Sequence, residues 1–231
     1  DRDGKFLRAW GHGTIKTPHG LRIDADGNLW LTDTGNHLVL KFDPIGKLLM
    51  SLGRKGEPGV GLDQFDRPTD VAVAPTGEFF VTDGYGNNRV LKFSRDGKLL
   101  KQWGKKGTGE GEFILPHAVV RDAKGRIYVG DRENNRVQVF DSEGKFLFQW
   151  KESGAPYGLF LSGDRLFVAD GRADWIQVLG PDGKSLGRFG EKGTGPGQFR
   201  MPHMLSIDSE GSVYVAEVNG KRVQKFAVKG K

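Results

Sequence analysis

Three histidines stand at one phase of an internal repeat, each directly after a proline: Pro18-His19, Pro116-His117 and Pro202-His203. An apolar run ending in a polar turn follows each pair. A repeating fold uses the prolines and the apolar runs, but it has no structural need for an imidazole at the same place three times. One such histidine would read as a strand entry bonded to a nearby carbonyl. Three at a single phase point to a metal held by His19, His117 and His203. Three imidazoles with a fourth position left open suit a catalytic zinc.

Two loop residues join them as candidates. Tyr85 lies in Asp83-Gly84-Tyr85-Gly86-Asn87-Asn88-Arg89-Val90, one residue longer than the matching loop from Asp131 to Val137. A tyrosine inserted between glycines has no evident core role. Beside a divalent cation its pKa would fall, which suits a general base; the plainer reading is a cap on a channel. Arg132 follows Asp131, and a guanidinium there can clamp a carboxylate through two hydrogen bonds. The alternative is a surface ion pair with Glu133 or Asp131. His12 and His37 fall outside the repeat phase and read as surface or turn residues.

These side chains must be positioned by the repeat. It runs Pro-X, an apolar strand, a Gly turn, an aromatic-led strand ending in an acid, an Asn/Arg loop, a third strand, then Gly-Lys and a fourth. The anchors Pro18, Pro68, Pro116, Pro156 and Pro202 are 50, 48, 40 and 46 residues apart. Segments such as Val90-Leu91-Lys92-Phe93 and Val137-Gln138-Val139-Phe140 alternate with period 2, as half-buried strands do. Four strands in each period of about 40–50 residues predict the blades of a β-propeller. The fold class expected is all-β, with five four-stranded repeats present in one domain over residues 1–231.

In such a blade the start of the first strand and the loop after the second lie on one face. His19, His117 and His203 therefore share a rim with the loops after Asp33, Asp83, Asp131, Asp170 and Glu217. Those acids are expected to bond loop amides. Residues 1–11, Asp3-Gly4-Lys5 through Trp10-Gly11, match a fourth strand such as Asp96 to Gly104. They would complete the last blade of a five-bladed ring or be the remnant of a first blade in a six-bladed one. Histidines on the first, third and fifth repeats, with Thr69 and Tyr157 at the matching places between, have three-fold symmetry only in a six-bladed parent. That parent is the one expected.

Composition narrows the function classes. The chain has 231 residues, 36 glycines, 10 prolines and no cysteine, which removes disulfides, thiolate metal sites and cysteine nucleophiles. No apolar run is long enough to span a membrane as a helix. The net charge is +6, yet the lysines are dealt out by the repeat, as in Lys5, Lys47, Lys98, Lys145 and Lys184. A dotted rim without a concentrated stripe makes nucleic acid a secondary expectation as partner. Neither the compartment nor the oligomeric state is written in the residues.

The repeat resembles the NHL repeat. Pro18-His19-Gly20-Leu21, Pro68-Thr69-Asp70-Val71-Ala72-Val73, Asp83-Gly84-Tyr85, Pro116-His117, Asp131-Arg132-Glu133-Asn134 and Pro202-His203 together resemble peptidyl-α-hydroxyglycine α-amidating lyase (peptidylamidoglycolate lyase), from about Pro18 to Phe226. The resemblance implies that His19, His117 and His203 bind the catalytic zinc, that Tyr85 is the base and that Arg132 contacts substrate. The reaction implied is cleavage of a C-terminal α-hydroxyglycine, on a peptide or an N-acylglycine, to an amide and glyoxylate. Departures from the family are visible. Met204 stands where the family has an aspartate tied to a structural calcium, which puts that ion in question. Gly86 stands where the relative has cysteine, and a first-blade arginine of the family has no counterpart here.

A zinc lyase of this kind, or a close relative with altered substrate, is therefore the leading expectation. One alternative is a non-catalytic propeller binding a protein or RNA on a rim. Another is a metal-dependent hydrolase or lactonase using the same channel mouth.

Overall fold

The structure is a computed structural model that describes residues 1, 3–151 and 153–227. The first blade is β1 (Pro18–Ile23), β2 (Leu29–Asp33), β3 (Leu38–Phe42) and β4 (Leu48–Leu52). The second is β5 (Asp70–Val73), β6 (Phe79–Asp83), β7 (Arg89–Phe93) and β8 (Leu99–Trp103). The third is β9 (Pro116–Arg121), β10 (Ile127–Asp131), β11 (Arg136–Phe140) and β12 (Phe146–Trp150). The fourth is β13 (Pro156–Ser162), β14 (Arg165–Asp170), β15 (Trp175–Leu179) and β16 (Ser185–Phe189). A two-residue parallel pair, β17 (Glu191–Lys192) and β18 (Gln198–Phe199), leads into the fifth blade: β19 (Pro202–Ile207), β20 (Val213–Glu217) and β21 (Arg222–Phe226). Every blade is an antiparallel meander in sequence order, and the fifth has three strands among the described residues. All-β propeller architecture follows, as the period of the sequence requires.

Two repeated devices build the blades. In each turn between third and fourth strands an aspartate or serine accepts the following backbone N–H groups, as Asp141 Oδ1 does from Glu143 (2.8 Å) and Lys145 (2.9 Å). In the first, third and fourth blades the glycine in that turn seats a tryptophan from the preceding segment, while Gly97 of the second meets Met50 and Leu52. A Cβ on Gly144 would lie 2.6 Å from the Trp103 ring, so the position requires glycine on contact grounds as well as for its φ of +74°. Gly183 takes Trp150 in the same way. The Gly-Lys turn and the Trp-Gly ending of the repeat are thus two halves of one inter-blade contact. Between blades the apolar faces merge, as Trp30 and Val39 do with Phe65, Val71, Phe79 and Leu91.

The second device explains the strand-terminal acids and the Asn/Arg loops. Asp131 is fully buried and accepts the amides of Ile114 (3.0 Å) and Leu115 (3.1 Å), as expected of a loop-forming acid. It also pairs with buried Arg136 at 3.0 Å, whose guanidinium donates to the carbonyls of Thr108, Gly109 and Glu112. Asp83–Arg89 and Glu217–Arg222 repeat the arrangement. These ion pairs tie the loop entering the second, third and fifth blades to the strand that leaves the rim.

Residues 1–11, expected as a fourth strand, form no strand among the described residues. Trp10 nonetheless occupies the tryptophan site of the first blade, 4.7 Å from the Phe42 ring and against Gly46. The segment keeps the packing half of the pattern and lacks the ladder half, because the outer edge of β21 does not pair with it. Inner strands contact one another in the order β1, β5, β9, β13 and β19. The sector between β19 and β1 stays open: Leu21, Ile23 and Val223 are 53%, 71% and 65% exposed. A cavity of about 270 Å³ lies there, lined by residues including His19, Leu21, Met204 and Val223.

Candidate functional site

The second residue of β1, β9 and β19 is a histidine, so three inner strands from alternate blades bring His19, His117 and His203 to one end of the channel. Their ring centroids are 4.8, 4.8 and 4.9 Å apart, a near-equilateral triangle. One ring nitrogen from each lies within 4.8 Å of the others, a group able to hold a metal ion. The nearly equal sides place the three rings symmetrically although they come from the first, third and fifth of five blades.

The intervening blades orient the imidazoles through their backbones. His19 Nδ1 donates to the carbonyl of Thr69 at 2.6 Å, and His117 Nδ1 donates to that of Tyr157 at 2.6 Å. A carbonyl only accepts, so both Nδ1 atoms carry the proton and both Nε2 atoms present a lone pair. Burial lowers the pKa of all three rings, helped by the nearby Arg132 charge and, for His117 and His203, by the neighbouring imidazoles. His117 falls well below its ordinary value and His203 to about 3. All three are neutral near pH 7, the form that ligates a metal.

Tyr85 reaches into this triangle. Its hydroxyl lies 3.1 Å from His19 Nε2 and 3.0 Å from His117 Nε2. One phenol proton faces two inward lone pairs, so one acceptor is left without a donor. A cation is the group that would satisfy both, and this donor set fits one. The loop is fixed on both sides of the tyrosine: a Cβ on Gly84 would strike the Pro116 carbonyl, and one on Gly86 would strike the Asp66 carboxylate. Arg67 Nη2 adds a bond to the Tyr85 carbonyl at 2.9 Å. Burial pushes the Tyr85 pKa up, and the Arg132 charge and hydrogen bond oppose that rise.

Arg132 opens a short 3-10 turn, Arg132–Asn134, and its amide donates to Leu115 at 2.9 Å. Its guanidinium lies 4.6 Å over the Tyr157 ring and 5.5 Å from that of Tyr85. Nε also donates to Glu133 at 2.9 Å. Arg132 therefore makes the ion pair with Glu133 that its neighbour allows, and it also lies beside the Tyr85 and Tyr157 rings. Below the histidines, Arg22 and fully buried Asp70 form a two-bond pair at 3.0 and 2.6 Å that crosses to the Leu159 carbonyl.

Tyr157, Glu133 and Arg172 complete the mouth and were not among the expected site residues. Tyr157 sits at the repeat phase of the histidines, which was the available signal. Glu133 and Arg172 come from loops of different blades, and no shared spacing marks them. His37 is a loop residue with φ of +60° whose Nδ1 accepts the Arg67 amide at 3.1 Å, and it lies outside the triangle.

Comparison with known proteins agrees with this architecture. The NHL repeat model matches residues 16–42, 65–93, 113–140 and 199–226, leaving the fourth blade unmatched. That blade has Trp175 where the second, third and fifth have an arginine paired with the strand-terminal acid. NHL repeat-containing protein 3 of Homo sapiens is 38% identical over 97% of this chain and 70% of its own length. Peptidyl-alpha-hydroxyglycine alpha-amidating lyase 2 of Drosophila melanogaster is 45% identical over 43% of this chain, a match spanning 25% of that protein. A solved nidogen/laminin complex shares the fold, with TM-score 0.69 and 19% identity over 93% of this chain and 77% of that one. Mouse NHL repeat-containing protein 3 is matched over 40% of its length.

Proposed function

The chain belongs to the NHL-repeat family, and on that premise we propose that it is a zinc-dependent lyase. It cleaves a C-terminal α-hydroxyglycine from peptides or N-acylglycines, giving an amide and glyoxylate. The observation that carries the reading is convergence: three neutral imidazoles, the Tyr85 hydroxyl and the Arg132 guanidinium meet at one channel mouth. The lyase named in Drosophila melanogaster lends support by its identity over part of the chain.

His19, His117 and His203 would hold the metal, and zinc is the ion this donor set favours. When bound it would supply Lewis acidity to the substrate hydroxyl. Arg132 turns its Nε to Glu133, so its Nη edge can take the substrate carboxylate in a two-bond fork. Tyr85 Oη, as the phenolate that a cation held by the three histidines would favour, would take the hydroxyl proton. As that proton leaves, the C–O bond becomes a carbonyl, the C–N bond breaks, and the amide nitrogen takes up a proton. Atoms and charge balance without a co-reactant. The Tyr85 and Tyr157 rings, both against the histidines, would flank the reacting carbon and limit water.

The test is glyoxylate release from an N-acyl-α-hydroxyglycine, expected to vanish on chelation and in His117→Ala and to return with zinc. An undiminished rate in metal-free protein would sink the reading. A second reading, a propeller that binds a protein partner, draws on the human relative, whose name states no activity and which matches 97% of this chain. It predicts partner binding that survives loss of all three histidines.

A further inference from the structure

The cation facing the site is not held by its own loop alone. Glu133 uses one carboxylate oxygen to accept from Arg132 Nε at 2.9 Å, and its other oxygen pairs with Arg172 Nη2. Arg172 belongs to the fourth blade, on the loop after β14, while Arg132 and Glu133 follow β10 of the third. That loop is itself pinned, because Asp170 Oδ1 accepts the amides of Arg172 and Ala173 at 3.1 Å each. Arg172 Nη1 reaches Asn135 Oδ1 at 3.3 Å, and its guanidinium also meets the hydroxyl of Tyr157. The Tyr157 ring in turn carries the Arg132 guanidinium at 4.6 Å.

Arg132 is thus fixed from two directions: face-on by Tyr157 of the neighbouring blade, and edge-on by Glu133 of its own loop, which Arg172 of the neighbouring blade backs. Two guanidiniums share one carboxylate, so the cluster keeps a net positive charge while Glu133 holds the Nε edge of Arg132. The Arg132 guanidinium also bonds Tyr85 and lies 5.5 Å from its ring. Without Arg172, Glu133 would lose the partner that keeps it in line, and Arg132 would gain freedom that a bound carboxylate must remove.

We propose that Arg172 is a positioning residue for carboxylate recognition: acting through Glu133, it holds Arg132 over Tyr157 and so sets the preference for substrates with a free carboxylate end. This rests on the reading of Arg132 as the carboxylate clamp. It assigns to an outer-loop arginine a part in specificity that its 45% side-chain exposure alone would not suggest.

The experiment compares the parent with Arg172→Ala, Arg172→Lys and Arg132→Ala. Binding of N-acetylglycine and of its neutral amide is measured by calorimetry with and without zinc, beside KM and kcat for glyoxylate release. Arg172→Ala should weaken N-acetylglycine binding and raise KM by about 10-fold, the loss of one charge-assisted contact. Binding of the neutral amide, zinc content and kcat should change little. Arg172→Lys should recover most of the loss, because the contact to Glu133 is made through one nitrogen. If Arg132→Ala loses N-acetylglycine and Arg172→Ala does not, the positioning role is overturned and the clamp stands. If neither variant loses it, the clamp and the positioning role fall together. If the parent binds N-acetylglycine through both arginines yet releases no glyoxylate, the lyase reading falls and the positioning role stands.

Discussion

His117 donates its Nδ1–H to the backbone carbonyl of Tyr157 at 2.6 Å, a bond from the third blade to the fourth. His19 repeats it to Thr69, from the first blade to the second. Each ring is thereby locked in one tautomer and one rotation, with Nε2 turned inward. The blades between the histidines carry none of the three rings, yet they decide which nitrogen His19 and His117 present.

That arrangement predicts about one zinc per chain after dialysis. The triple variant His19→Ala/His117→Ala/His203→Ala should carry none, by elemental analysis, while keeping the β-sheet circular dichroism of the parent. A folded parent without metal would leave the triangle as packing only.

Tyr85→Phe separates the proposed base from the proposed zinc ligands. It should retain the zinc of the parent, since the three imidazoles stay in place. Glyoxylate release should drop by about 10²–10⁴-fold, the usual contribution of a positioned general base. A rate within about tenfold of the parent would remove Tyr85 from that role.

Arg136→Ala tests the buried ion pairs of the blades. Asp131 is fully buried and Arg136 is 4% exposed, so truncation leaves a carboxylate without its countercharge. Urea unfolding should show a loss of about 3–5 kcal/mol. A loss below about 1 kcal/mol would mean that water reaches Asp131 as at a surface pair.

Asp24 gives a pH signature outside the site. Burial pushes its pKa up, but hydrogen bonds from Trp30 and Asn28 and the charge of Lys41 outweigh this and hold it at about 2, below its ordinary 3.8. A carboxylate with a depressed folded pKa stabilises above its unfolded pKa and loses that contribution as pH falls through the folded one. Asp24→Asn should therefore cost on the order of 1–3 kcal/mol at pH 7, with the difference closing between about pH 4 and pH 2. A difference that stays constant across that window would show that the charged form is not what matters.

The propeller was legible in the residues because its parts are local. Period-2 strands, Asp-Gly-Lys turns and the Trp-Gly ending each act within a few residues and recur in register. The phase of His19, His117 and His203 was legible for the same reason: one position of one strand, counted along the repeat. Even the placement of Tyr85 and Arg132 on that rim followed from antiparallel strand order.

Pairing across the ring was decided by the tertiary structure alone. Asp3 to Gly11 carries the pattern of a fourth strand, yet a strand exists only where a neighbour supplies its ladder, and here Trp10 packs on Phe42 without one. The carbonyls of Thr69 and Tyr157 have no signature in residue type, because every residue has one. Glu133 and Arg172 are ordinary charges in sequence, 39 residues apart. Packing of the third blade on the fourth makes them one cluster, since a long-range contact depends on where two loops end and not on what either loop contains.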